Sequence, residues 1–407
     1  MNRTRRYDID ALRVFAFGLL ILYHTGMAYV WDWDFHIKSA YTAEWLQWPM
    51  IFMNRWRMSL LFLISGIAIA LAAPERKLLR FARDRTWRLM LPLIFGMFVV
   101  VPIQPYCEGV AGGHLQPGFW RFLLAYWHVH PWPQDSFSGW QYGITWNHLW
   151  YLPYLWAYTL ALIVLMPLLG RDDVRRTISA FTRSPMWLFL LLPALPQWLC
   201  AWFLDPRFPS THAFFGDWAN HAKYATVFLS GYLLARKTAF WDRVVAARRT
   251  TLVVALVSVT VYLGLRLISQ IHWGPDFWMR EVPYPVWVAI ALVAQSLYLW
   301  ATLLTILGWG KAWLNRPFRW LPYCTEAVYP WYMLHQSLIV PLVFLLKPLS
   351  LGPWLEPALV VGGTVAGCHL IYEYGIRRVG LLRPLFGLKR LPPAKPAPTE
   401  DAPALPG

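Results

Sequence analysis

The chain has 407 residues, of which 57% are hydrophobic and 17% aromatic while only 14% are charged; its mean hydropathy is +0.38. Soluble domains carry about a quarter charged residues, so this composition excludes an ordinary soluble globule and makes lipid part of the solvent. The net charge of +16 would point to nucleic acid in a soluble chain, but no nucleic-acid-binding motif is present and the basic residues fall in alternate loops, so no nucleic-acid partner is expected.

The chain opens with Arg3, Arg5 and Arg6 ahead of an apolar run, in the manner of a signal peptide. Arg13 interrupts the run and no small-x-small cleavage site follows it, which favours a retained first span. Apolar stretches of about 20 residues, enough to cross a hydrocarbon core as a helix, predict about ten spans. They lie near 11–31, 56–73, 89–106, 146–169, 186–204, 218–235, 250–268, 286–308, 327–346 and 357–375. A start near Pro49 for the second would place Arg55 and Arg57 at its outer end.

Lysine and arginine concentrate in the loops at about 74–88, 170–185, 236–249 and 309–326 and at both termini. The first of these alone carries Arg76, Lys77, Arg80, Arg83, Arg85 and Arg88, whereas the opposite loops hold scattered ones such as Lys38, Arg121, Arg207 and Arg280. The positive-inside rule therefore places both termini in the cytoplasm. The expected fold is all-α, a polytopic membrane helix bundle over residues 1–376. The cytoplasmic tail at 377–407 is proline-rich and expected to be disordered from about Leu391.

The longest outer loop, about 107–145, is dense in Trp, Tyr, His and Pro, which suits a segment at the interface or capping a cavity. Its His114, His128 and His130 have no carboxylates at ligand spacing, so no metal is expected, and contact with a polar acceptor is the alternative. Cys107, Cys200, Cys324 and Cys368 show neither CxxC nor metal spacing and read as apolar filler.

Two groups of ionisable residues stand out. Arg13 and His24 are eleven positions apart, which puts them within about 20° of one helix face and about 16 Å apart along the axis. At such depth ionisable residues cost a few kcal/mol and face a polar cavity; the bland alternative is a snorkelling arginine and a histidine bonded between helices. Asp10, one turn before Arg13, is placed to pair with it. Arg85 and Arg88 project from one face where the third span leaves the cytoplasm, as either a phosphate clamp or a positive-inside anchor.

RYDIDALRVFAFGLLILYH (residues 6–24), FLISG (62–66), RTWRLMLP (85–92), HLWYL (148–152) and YPWYMLH (329–335) resemble, in order, the motifs of the acyltransferase 3 family of integral-membrane acyltransferases. Ala11 departs from the glycine usual in that family. The resemblance runs from about residue 5 to 375. It implies an acyl-coenzyme A donor, acetyl or succinyl, arriving from the cytoplasm, and an acceptor hydroxyl on an extracytoplasmic glycan or other envelope molecule. It also implies a bacterial inner membrane. In that reading Arg13, Arg85 and Arg88 hold the donor, and His24 is the general base or carries the acyl group transiently. His148, His335 and Tyr332 are supporting candidates near the acceptor or in the polar cavity. Ser65 and Gly66 fit close helix packing. Asp217 and His221 read as an outer-surface hydrogen bond, and Glu373 as a partner for a cytoplasmic arginine. A transporter or permease for a polar envelope precursor is the alternative function; against it, no inverted repeat is visible, and the candidates form one Arg–Arg–Arg–His path.

Overall fold

The computed structural model describes residues 5–72, 77–270 and 284–390; Arg3, Arg76, Arg280 and the proline-rich tail lie outside them. Among the described residues there is no strand beyond one isolated bridge, Val30 to Ala43, and nine helices are long and apolar enough to cross a membrane. In chain order the helices are α1 (Tyr7–Tyr29), α2 (Gln47–Ala72), α3 (Leu78–Phe95), α4 (Ile103–Ala111), α5 (Phe119–Tyr126), α6 (Tyr151–Leu169) and α7 (Asp172–Arg183). There follow α8 (Met186–Phe203), α9 (Trp218–Leu234), α10 (Thr238–Gln270), α11 (Tyr284–Trp313), α12 (Leu321–Leu346), α13 (Leu355–Leu370) and the short α14 (Leu382–Leu385). The predicted span at 218–235 is α9, whose 17 residues leave it outside those nine.

Helix boundaries depart from the apolar limits where nothing in the sequence stops a helix. No proline or glycine stands between Leu78 and Met90, so α3 starts eleven residues before its apolar part and takes Arg80 to Arg88 into its first turns. The basic segment expected as a loop at 170–185 forms amphipathic α7, with Asp172 and Asp173 in its first turn and Arg183 in its last, as the helix dipole favours. Helix α2 starts at Gln47, close to the early start expected near Pro49, which leaves Arg55 and Arg57 in its outer part.

Helix α2 runs through the middle of the bundle: every residue from Trp56 to Ile64 is buried, the all-round burial expected of a central helix. It packs closely on α9. A Cβ on Gly66 would stand 2.0 Å from the Phe228 carbonyl oxygen, and one on Gly231 would stand 2.3 Å from that of Leu63. Two glycines thus let two backbones touch, the small-residue packing common in membranes. Outward-facing Val253, Leu256 and Val257 of α10 and Leu191 and Leu192 of α8 are exposed, as lipid-facing surfaces require.

Helix α1 packs on α12, α2 and α13. After Phe95, α3 loosens into a π-turn over Gly96–Val100 before α4 begins. Such turns recur at functional sites. Here Gly96 has no room for a side chain, since its Cβ would lie 2.4 Å from Leu149 Cδ1. The turn therefore sets α4 against the segment carrying His148.

Candidate active site

His24 is held near the far end of α1 by a loop that folds back on the helix terminus. Lys38 donates through its ammonium to the carbonyls of Met27 and Trp33, each at 2.9 Å, and of Val30. This closes off carbonyls that a helix end leaves unpaired; burial holds the Lys38 amine below the usual lysine range. The half-buried His24 lines a cavity of about 1020 Å³ at the end of the bundle away from the basic residues. Among the described residues no hydrogen bond reaches its imidazole, so its ring nitrogens are open to the cavity. Residues 138–145 of the aromatic loop supply part of the wall, through Ser138, Tyr142, Thr145 and their neighbours. The loop therefore caps a cavity, one of the two placements expected for it.

Three imidazoles meet here. The His24 and His335 ring centroids are 5.2 Å apart, and those of His335 and His148 are 5.0 Å apart. Their hydrogen bonds assign different capacities. His148 Nε2 lies 3.1 Å from the Met333 carbonyl, which can only accept, and its Nδ1 receives the Gln104 amide at 3.2 Å. Both nitrogens are committed, so His148 holds structure. His335 Nδ1 donates to the Tyr332 carbonyl at 2.7 Å, while its Nε2 is buried without a partner. The Tyr332 hydroxyl donates to the His148 carbonyl at 2.8 Å and so frames the group. Of the three, His24 is the one with nitrogens free toward the cavity.

A relay of polar groups that the sequence did not single out completes the wall. Gln104 accepts from Asn147 and Gln336, each at 3.1 Å, and donates to Ser337 at 2.7 Å. The Gln336 amide also donates to His36 Nε2 at 3.0 Å. His36 donates through Nδ1 to Glu108, whose other carboxylate oxygen takes the Ser138 backbone and hydroxyl, each at 2.8 Å. Arg57 stands on the same wall with its guanidinium carbon 3.4 Å from the Tyr23 ring centroid. The only signal for these residues was polarity next to apolar runs, which many lipid-facing termini share.

At the basic end, Arg13 reaches Asp10 at 3.2 Å, and Arg5 reaches the same carboxylate at 2.9 Å. Arg85 lies within electrostatic reach of both Arg88 and Arg13, and the Tyr329 hydroxyl meets the Arg88 carbonyl at 3.4 Å. Three guanidinium groups at one mouth suit a polyphosphate. None of them lines the His24 cavity. Between the two stands a layer of rings: Phe17 lies 5.3 Å from Tyr332 and 6.4 Å from Tyr151, and those two are 6.2 Å apart. The Tyr151 hydroxyl is tied to Ser65 Oγ at 2.6 Å. The arginines and His24, joined in one path by spacing, are therefore separated by three aromatic rings, and the arginines do not reach the cavity wall. Helix phase fixes a common face but says nothing of what other helices insert across it.

Asp217 and His221 do not form the surface pair expected of them. Asp217 is fully buried and takes the hydroxyl of Tyr154 and the amide of Asn220. His221 bonds instead with the Tyr158 hydroxyl at 3.1 Å and the Phe214 carbonyl at 2.7 Å. His114, His128 and His130 stay off the cavity wall; His130 stacks on Trp132 and His128 bonds the Leu124 carbonyl. Among the described residues no cluster of metal-ligating side chains occurs. Glu373 pairs with Arg377 at 2.9 Å.

A family model described as an acyltransferase domain matches residues 6–373, almost the whole described chain. Comparison with curated proteins and with solved structures gives no match.

Proposed function

We propose, because this chain belongs to the acyltransferase 3 family and is a multi-pass membrane acyltransferase, that it moves an acetyl or succinyl group from acyl-coenzyme A to a hydroxyl of an extracytoplasmic glycan or similar envelope acceptor. The setting is the bacterial inner membrane, with the basic end and both termini in the cytoplasm. The observation that carries the reading is the His24 imidazole, open to a large cavity at one end, with Arg13, Arg85 and Arg88 grouped at the other.

In this reading the arginines hold the phosphates of coenzyme A, and the pantetheine arm crosses the Phe17–Tyr151–Tyr332 layer to bring the thioester to His24. The imidazole takes the proton of the acceptor hydroxyl as its oxygen attacks the thioester carbonyl. Collapse of the tetrahedral adduct breaks the carbon–sulfur bond, and the coenzyme A sulfur leaves with the proton from His24. The products are an ester and free coenzyme A. Asp10 orients Arg13, while His148 and Tyr332 keep the cavity wall in register.

The test is transfer by the purified chain from radiolabelled acetyl- and succinyl-coenzyme A to a glucan acceptor. The Arg85→Gln/Arg88→Gln variant is expected to raise the donor KM about tenfold or more with kcat nearly retained. His24→Ala is expected to keep donor binding and lose turnover. Absence of any acyl-coenzyme A binding or cleavage by the wild type would end the reading.

A further inference from the structure

We infer that Arg57 forms an anion-binding subsite in the His24 cavity, for a carboxylate or phosphate carried by one of the two substrates. Arg57 is only 6% exposed, yet it is on the cavity wall. Its Nε and Nη1 are buried and have no hydrogen-bond partner, which leaves Nη2 as the nitrogen toward the cavity. Among the described residues no carboxylate forms an ion pair with it. Glu108, on the same wall, is taken up by His36 and Ser138, and Asp34, also on the wall, is exposed and unpaired with Arg57.

Among the described residues, other cations drawn into the protein each have at least one hydrogen-bond partner, even where one nitrogen stays unpaired, as Nε of Arg55 does. Arg383, 7% exposed, donates to Glu326 and to the carbonyls of Lys389 and Arg377. Lys38 spends its ammonium on three carbonyls. Arg55, one turn-half away on α2, donates to the Tyr262 hydroxyl. Arg57 has only the face of Tyr23, 3.4 Å from its guanidinium carbon. A cation–π contact offsets part of the desolvation of a guanidinium but satisfies none of its N–H groups. A buried charge without a counter-ion is costly, and within a membrane segment it marks a site for an ion or substrate. The missing partner is therefore an anionic oxygen group that enters the cavity.

Position narrows where that group comes from. The Tyr23 ring touches both groups, 3.4 Å from the Arg57 guanidinium carbon and 5.7 Å, centroid to centroid, from His24. An anion on Arg57 thus sits close to, but not on, the carbon attacked at His24. Two sources fit: the distal carboxylate of a dicarboxylic acyl group, three carbon–carbon bonds from the thioester carbon, or a charged substituent on the acceptor. A planar guanidinium takes either oxygen pair bidentately.

The subsite is tested first without turnover. The purified full-length chain in nanodiscs is titrated with succinate and, separately, with inorganic phosphate, reading tryptophan fluorescence, since Trp33, Trp146 and Trp150 line the cavity. Wild type is expected to give a saturable change with at least one probe, weakened tenfold or more in Arg57→Gln and less in Arg57→Lys, which keeps the charge. No saturable change in wild type, or an unchanged one in Arg57→Gln, overturns the subsite; Arg57→Lys gives the comparison if Arg57→Gln fails to fold. The source follows from kcat/KM, and this part alone rests on the acyl-transfer reading. Selective loss of tenfold or more with succinyl- but not acetyl-coenzyme A assigns the anion to the acyl group. Equal loss with both donors on a phosphoglycerol-bearing glucan, spared on the neutral glucan, assigns it to the acceptor. Unchanged kcat/KM in every pairing overturns a role in transfer. Arg57-dependent binding by a chain that transfers nothing leaves the subsite standing and removes the transfer reading instead.

Discussion

His335 lies directly behind His24: their ring centroids are 5.2 Å apart, and the Nε2 of His335 is buried without a partner. One imidazole is open to the cavity, and the other, anchored by the Tyr332 carbonyl, keeps a lone pair in reserve beside it. When His24 takes a proton it becomes a donor at both nitrogens, and a small ring rotation gives one of those N–H groups the His335 lone pair as acceptor. In the proposed mechanism His335 is then a positioning residue for His24. His24→Ala is expected to lower kcat about 10²- to 10⁴-fold, the range of general base catalysis, and His335→Ala about tenfold with donor KM unchanged. The double variant is expected to be no slower than His24→Ala alone, because His335 acts through His24. Additive losses in steady-state kinetics would disprove the coupling.

The Phe17–Tyr151–Tyr332 layer separates the arginine mouth from the His24 cavity. Removing one ring opens the partition to water as well as to the donor. Phe17→Ala is therefore expected to raise acceptor-independent cleavage of acyl-coenzyme A several-fold, read as release of free thiol. An unchanged rate of cleavage would mean that the layer does not limit access.

The α2–α9 crossing rests on Gly66 and Gly231, each against a backbone carbonyl that has no freedom to move aside. Gly66→Ala and Gly231→Ala are each expected to destabilise the fold by about 1–3 kcal/mol, as overpacked cores do. Ser65→Ala, which loses one hydrogen bond to Tyr151, is expected to cost about 1 kcal/mol. Thermal unfolding in detergent checks the order; equal melting temperatures for Gly66→Ala and wild type would contradict the close crossing.

His212, in the loop before α9, packs on Trp150 with ring centroids 4.2 Å apart and the planes tilted by 35°, and burial pushes its imidazole down to about 4. The unfolded chain takes up this proton near pH 6.5 and the folded chain only near pH 4. Folded stability is thus expected to fall as pH drops through that window, by at most about 3 kcal/mol, less where cavity water screens the ring. His212 has a positive φ of 55°, which asparagine tolerates, so His212→Asn is the variant of choice. Its unfolding midpoint should depend less on pH between 6.5 and 4 than that of wild type; equal slopes would refute the assignment.

The polytopic helix bundle was legible in the sequence, nine of the ten expected spans being helices long and apolar enough to cross a membrane among the described residues, because an apolar run of about 20 residues has one economical fate in lipid. The boundaries were less so, since helix propagation through Arg80 to Arg88 depends on the absence of breakers rather than on hydropathy. His24 and Arg13 were legible for the same solvent reason: an ionisable group in such a run is costly enough to be conspicuous, and eleven residues bring two of them to one face. The sequence also set Arg85 and Arg88 on one face by helical period alone.

Only the tertiary structure decided how these residues are shared among compartments. That His335 backs His24, that His148 has both nitrogens committed and that an aromatic layer divides the arginines from the cavity all depend on contacts between helices far apart in the chain. His36, Glu108, Gln104 and Gln336 are ordinary polar residues until three separate segments bring them into one hydrogen-bonded line. For Arg57 the sequence offered only a place toward the outer end of the second span; packing around α2 is what buries it and sets it on the cavity wall. Period and hydropathy report what each segment does with water and lipid; pairing across segments is set by packing, which neither quantity encodes.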